Sequence, residues 1–160
     1  MQRDMVSFHK DAQGDWVAAL SCGHGQHVRH KPPFTLRPWV VTDAGRALRL
    51  GQKLDCVRCD RFEMPHGFVP YKRTVEFTNE TIPAGLLRSH SLKLGTWGRL
   101  TMLSGVLSFS VEVPTALQKE RTISPKASLS IPPELLHMVA PLGPVRFYIE
   151  FCSKPTAAAL

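Results

Sequence analysis

Four residues in the first half of the chain carry the chemistry that is easiest to read. Cys22 and His24 form a C-x-H pair in CGH, and Cys56 and Cys59 form a C-x-x-C pair in CVRC. Two thiolates two residues apart can face one ion from a tight turn, and a cysteine and histidine with one residue between them can do the same from an extended turn. Gly23 lets the backbone fold closely between its two neighbours. Together the pairs predict a closed Cys3His zinc site, with Cys22, His24, Cys56 and Cys59 as ligands. His24 is the first choice for the histidine, and His27 and His30 are the alternates. Two other uses of the cysteines stay open: a redox-active C-x-x-C, or inert buried thiols. The redox motif ordinarily opens a helix in a βαβ unit, and no such unit is legible around Cys56.

These residues are unevenly placed. Five of the seven histidines and three of the four cysteines lie within the first 66 residues, which divides the chain into a Cys/His unit over 1–66 and a second unit over 67–160. A unit of under 70 residues buries little core and gains from a metal staple. The formal net charge is +7; splitting after Phe68 gives 10 basic and 7 acidic residues before it, then 10 and 6, so +3 and +4. A nucleic-acid binder concentrates its positive charge on one face. Spread charge fits small anionic ligands better. No apolar run reaches the roughly 18–20 residues of a membrane span, and the first residues lack the apolar middle of a secretory leader, so a cytosolic protein with no membrane partner is expected.

The elements that must position the chemistry follow from turn residues and alternation. Asp11 to Asp15 reads as a turn and WVAAL as a strand. SCGHGQHVRHKPPF is too punctuated for regular structure, RPWVV reads as a strand, and Thr42 caps a short helix over Asp43 to Leu48 that stops at Gly51. LDCVRCD reads as a tight loop. MPHGFVP (64–70) marks the boundary. Beyond it YKRTVEFT, WGRLTML, VLSFSVEV, ASLSIPP, HMVAPLGP and VRFYIEF are β-type runs at the spacing of a barrel or sandwich, with Ser104-Gly105 as a hairpin turn between two of them. Pro114 to Lys126 reads as a polar loop and KPTAAAL as a frayed tail. The predicted fold class is mainly β: a small zinc-ribbon-like unit followed by an antiparallel barrel.

Two resemblances sharpen this. DWVAALSCGHGQHVRHKPPF, RPWV and GQKLDCVRCD, over about residues 5–64, resemble a small bacterial family with the pattern CGHxQHxRHxPP and a late CxxC, which implies a compact metal-binding unit without an assigned activity. RSHSLKLGTWGRLTMLSGVLSF, SIPPELLHMV and VRFYIEF, over about residues 70–153, resemble the cupin-like domain at the N-terminus of TehB tellurite-resistance proteins, which also occurs alone in YeaR-type proteins. The matching positions are His90, Lys93, Gly95, Trp97, Leu100, Gly105, His137 and Phe147 through Phe151. This resemblance implies a small cupin-like antiparallel β-barrel, a link to oxyanion stress, and a homodimer formed through the sheets.

In such barrels histidines at the positions of His90 and His137 point into one cavity, so His90, Lys93 and His137 are the candidate ligand-binding residues of the second unit. The usual cupin metal set is incomplete here: Leu92 stands where H-x-H needs a histidine, and no glutamate lies before Gly105 in the expected stretch. Glu134, Glu150 or Cys152 would have to complete a second metal site, whose existence stays open. The expected function is a two-part metal-binding protein whose barrel takes a small ligand or anion. The alternatives are a metal-dependent cupin enzyme, for which no catalytic residue is assigned, and a nucleic-acid-binding zinc ribbon using Arg29, His30, Lys31, Arg37, Arg46, Arg49, Arg58 and Arg61 with Trp39 as a stacking platform.

Overall fold

A computed structural model describes residues 1–112 and 120–155. Contacts divide the chain into two compact units, Met1–Val57 and Arg58–Leu160. Among the described residues no helix is long and apolar enough to cross a membrane. The expected frayed tail lies largely outside the described residues, as does the first part of the expected polar loop.

The first unit is a four-stranded antiparallel sheet in the order β3-β2-β1-β4, formed by β1 (Gln2–Lys10), β2 (Trp16–Leu20), β3 (Gly25–His27) and β4 (Lys53–Asp55). The turn between β1 and β2 is held by Asp11, whose carboxylate accepts from the backbone N–H groups of Gln13 and Asp15, each at 2.9 Å. That is the local bonding that favours aspartate at turns. Thr42 caps α1 (Asp43–Ala47) as expected, its hydroxyl accepting from Gly45 N at 3.1 Å. RPWVV is not a strand. Pro38–Val41 forms a 3-10 turn running straight into α1, with the proline at its first helical turn, where a missing N–H costs nothing. The side chains there are stacked: Trp39 meets Phe8 edge-on at 5.9 Å, Arg46 lies 3.7 Å over the Trp16 ring and Arg49 5.1 Å over Trp39. The punctuated segment after β2 does contain regular structure, since Gly25–His27 pairs with Val17–Ala19.

The second unit is built of curled antiparallel sheets, as its β-type runs predict. One sheet has the order β10-β7-β12-β5, from β5 (Val69–Arg73), β7 (Trp97–Ser104), β10 (Ser128–Ile131) and β12 (Arg146–Ser153), with β6 (Phe77–Thr78) also on β12. The other has the order β11-β8-β9, from β8 (Leu107–Val111), β9 (Glu120–Ile123) and β11 (His137–Pro141). Strand β9 occupies part of the expected loop. The fully buried Trp97, Leu100, Met102, Leu107, Phe109 and Phe147 come from strands of both sheets.

Ser104-Gly105 is not a hairpin. β7 pairs with β10 and β12, whereas β8 pairs with β9 and β11, so the glycine sits where the chain passes from one sheet to the other. It has φ +75° and lies so close to the neighbouring turn that an added Cβ would stand 2.1 Å from Pro144 O. Turn composition reports the local backbone need correctly, but not the partner of the next strand. Gly105→Ala is therefore expected to lower stability by at least about 2 kcal/mol in urea unfolding. Gly143→Ala, which has a positive φ but open space around it, is expected to lose less. Equal losses would show that the close approach at the sheet corner costs nothing.

Candidate functional site

Two turns build the candidate metal centre. The first follows β2, where Gly23 N donates to Leu20 O at 2.8 Å, Leu20 N donates to His24 O at 2.8 Å, and Gly23 takes φ +92°. This geometry turns Cys22 and His24 to the same side. The second begins where Cys56 N donates to Met1 O at 2.8 Å and continues into α2 (Val57–Asp60), which carries Cys59. Phe62 N then donates to Cys59 O at 3.0 Å and closes the knuckle.

The four side chains converge. One ligand atom from each of Cys22, His24, Cys56 and Cys59 lies within 4.8 Å of all the others, and all four residues are buried. Cys22 Sγ and Cys56 Sγ are 3.8 Å apart, and His24 Nδ1 is 3.4 Å from each. A tetrahedral ion held at about 2.3 Å by sulfur and 2.0–2.1 Å by nitrogen has S···S edges of about 3.8 Å and S···N edges of about 3.6 Å. The measured edges match that figure, so the donor set fits a metal ion. A disulfide, with an S–S bond of about 2 Å, does not describe the Cys22–Cys56 pair. Burial works against a charged His24, but its hydrogen bonds to Cys22 and Cys56 and the charges of those sulfurs raise its pKa from 6.5 to about 9. The centre of the cluster thus calls for positive charge, which a proton or a metal ion supplies.

The two alternate histidines are engaged elsewhere. His27 Nε2 lies 2.7 Å from Asp11 Oδ2 at the surface, and that contact holds the Asp11 carboxyl below its usual range. His30 Nδ1 accepts from Arg37 N at 3.0 Å.

The second unit brings His90 and His137 together. Each donates its backbone N–H to the other's carbonyl at 2.9 Å, and the ring centroids are 4.2 Å apart. Each also donates Nδ1–H to a carbonyl two residues earlier, His90 to Arg88 O at 2.9 Å and His137 to Leu135 O at 2.7 Å. In His137, which burial holds neutral, Nε2 therefore carries a lone pair. His137 is buried, stacks on Phe109 at 5.1 Å and borders a cavity of about 60 Å³ with Ser89, Ser110 and Glu112. Among the described residues no group of three or more potential metal ligands gathers there; the Cys/His cluster is the one such group. Glu150 faces Arg99 at 3.4 Å, and burial pushes the Cys152 thiol up.

Lys93 stands apart from the histidine pair. It borders a different cleft with Tyr71, Lys72, Ser91 and Thr96, none of which the sequence singled out. Alternation in YKRTVEFT places Lys72 and Thr74 on one face, but only the strand register shows which face that is.

The His137 imidazole has its own pH signature. Burial, opposed by the Leu135 carbonyl and aided by the neighbouring His90, lowers its pKa from 6.5 to about 4. Between those values the unfolded chain binds more protons, so the contribution is complete above pH 6.5 and fades as pH falls toward 4. From pH 7.5 to 5.0 the wild type is expected to lose about 2 kcal/mol more unfolding free energy than His137→Gln. Parallel losses in the two proteins would show that His137 is not held neutral by burial.

Two family models match separate parts of the chain. Residues 6–63 match a family described as proteins of unknown function, DUF3565, and residues 72–149 match the TehB-like domain. The structure of TehB from Haemophilus influenzae is similar at TM-score 0.51 and 26% identity, over 56% of this chain and 32% of that one, so the match spans about a third of its length. A crystal structure of a protein from E. coli strain K12 is similar at TM-score 0.53 and 22% identity, over 59% of this chain and 98% of that one, and shows the fold. No curated protein matches.

Proposed function

We propose that this is a cytoplasmic two-domain metal-binding protein in which zinc staples residues 1–66 and residues 67–160 form a cupin-like barrel that binds a small ligand or anion. The observation that carries the first half is the buried convergence of Cys22, His24, Cys56 and Cys59 at the edge lengths of a tetrahedral site. Four protein ligands close the coordination sphere and leave no position for substrate, which is the character of a structural zinc. Borderline-soft thiolates with one imidazole favour zinc over calcium or magnesium. The zinc here neutralises sulfurs and fixes two turns.

The second half rests on the TehB-like match over residues 72–149, on the clefts of that unit, and on its surplus of basic residues. The likeness to TehB supports an oxyanion of the tellurite type as one ligand to test, and a homodimer as the assembly to test. A metal-dependent enzyme would need a third protein ligand near His90 and His137, and nothing on the described residues favours that reading over a binding barrel.

Metal analysis tests the proposal. The purified protein is expected to hold one zinc per chain, lost in Cys59→Ser but retained in His27→Ala, His30→Ala and His137→Gln. Removing the zinc is expected to lower the stability of the first unit by roughly 4 kcal/mol, read by urea unfolding with and without a chelator. Full zinc content in Cys59→Ser, or loss in His27→Ala, would overturn the ligand set. A second equivalent lost only in His137→Gln would move the chemistry into the barrel.

A further inference from the structure

Lysine sits on the core side of a sheet. In β12, Phe147, Ile149 and Phe151 alternate on one face and lie opposite Met102, Leu100 and Gly98 of β7. These form the buried face, since Phe147, Leu100 and Met102 are fully enclosed. The other face is polar: Arg99 pairs with Glu150, and Arg73 lies 3.6 Å over the Tyr148 ring. Directly opposed residues share a face. Lys72 of β5 opposes Phe151, so it projects from the same side as the core residues.

A second segment meets it there. The stretch from Leu86 to Leu92 runs along β11 through Leu86 O to Val139 N, the reciprocal His90–His137 pair, and Leu92 O to Glu134 N. It reaches back across the face of β12 that carries Ile149 and Phe151. At one end Lys93 and Ser91 join Lys72, Tyr71 and the buried Thr96 around a cleft of about 230 Å³ floored by Phe151. The Tyr71 and Thr96 hydroxyls are 3.5 Å apart, too long for a strong bond to each other. At the other end Leu86, Pro83 and His90 cover Phe77, Ile149 and Phe151, leaving an apolar pocket of about 320 Å³. Phe151 borders both spaces, and no carboxylate borders either among the described residues.

We infer that this face binds a small organic anion with an apolar body, a carboxylate of aromatic or branched aliphatic type. The headgroup is held by Lys72 and Lys93 with the Tyr71 and Thr96 hydroxyls, and the body lies along Phe151, Ile149, Phe77 and Leu86. Two ammonium groups and two hydroxyls without a competing acid favour an anionic headgroup, and the adjoining pocket selects against anions with no apolar part. The inference rests on the reading of the second unit as a binding barrel and names its ligand class.

Calorimetric titration of the full zinc-loaded chain tests it, with phenylacetate, the neutral phenylacetamide, acetate and tellurite as probes. Phenylacetate is expected to bind at least tenfold more tightly than phenylacetamide or acetate. Lys72→Met and Lys93→Met are each expected to weaken it fivefold or more. Leu86→Gln is expected to weaken phenylacetate without changing acetate. Both lysines are exposed, so their variants should keep the wild-type unfolding midpoint. Phenylacetate affinity unchanged in both lysine variants would overturn the site. So would oligomerisation of Lys72→Met without loss of binding, since an inward lysine can simply guard an edge strand. Tellurite bound without phenylacetate, and lost in His137→Gln, would overturn this inference and leave the binding barrel standing; no probe bound would overturn both.

Discussion

Burying three thiols and an imidazole within 4.8 Å of one another is the constraint on which the Cys/His part of the chain, residues 1–66, depends. Such groups resist dehydration unless they are satisfied together. The apolar side chains buried around them are few: Met5, Val17, Ala18, Leu20, Val28 and Val40. A unit of this size encloses too small a share of its surface to stand on those alone. A shared ion would turn the polar cluster from a cost into a crosslink. Closing the 34-residue span between Cys22 and Cys56 through such an ion would restrict the unfolded chain by about 4 kcal/mol on the loop-entropy scale. The stacked Arg46 and Arg49 then extend the sparse core by covering Trp16 and Trp39 with their planar heads.

The legible and illegible parts of the sequence divide along a physical line. Metal ligands must be close in space, and short-range pairs such as Cys22/His24 and Cys56/Cys59 achieve part of that by spacing alone. Their convergence, and the choice of His24, were therefore open to reading. What excludes His27 is its reach to Asp11 from β3, and what excludes His30 is a bond from Arg37 N; both are tertiary facts. RPWVV fits a strand by residue type, but Pro38 and the following Thr42 cap make a continuous turn-to-helix path. Gly105 was recognisable as a residue with unusual backbone freedom, while the separation of β7 and β8 into different sheets was not. Local chemistry sets the bend, and side-chain burial far along the chain sets where the strands go.

The second unit shows the same limit at its site. His90 and His137 were selected as residues of one cavity; they lie side by side with reciprocal backbone bonds that make them a clasp, but His137 borders the small cavity with Ser89 and Glu112 and His90 borders the apolar pocket with Leu86. The clasp is made by backbone bonds, and burial keeps the His137 ring within it neutral. Each Nδ1–H is committed to a carbonyl, and the buried His137 stacks on Phe109 with the tilted His90 ring against it, where a charge on His137 would be poorly solvated. Holding the Leu86–Leu92 segment on β11 suspends Leu86 and His90 over the β12 face. The histidines thereby shape a space that other residues line more intimately. Lys72 could not be assigned to that space from alternation, because a one-residue change of register on β12 would turn it outward with Arg73. The pairing of Lys72 with Phe151 is thus what joins a positive headgroup site to an apolar floor. A ligand there would touch both sheet and clasp, and its affinity would depend on the His90–His137 backbone pairing without requiring either imidazole to bond it.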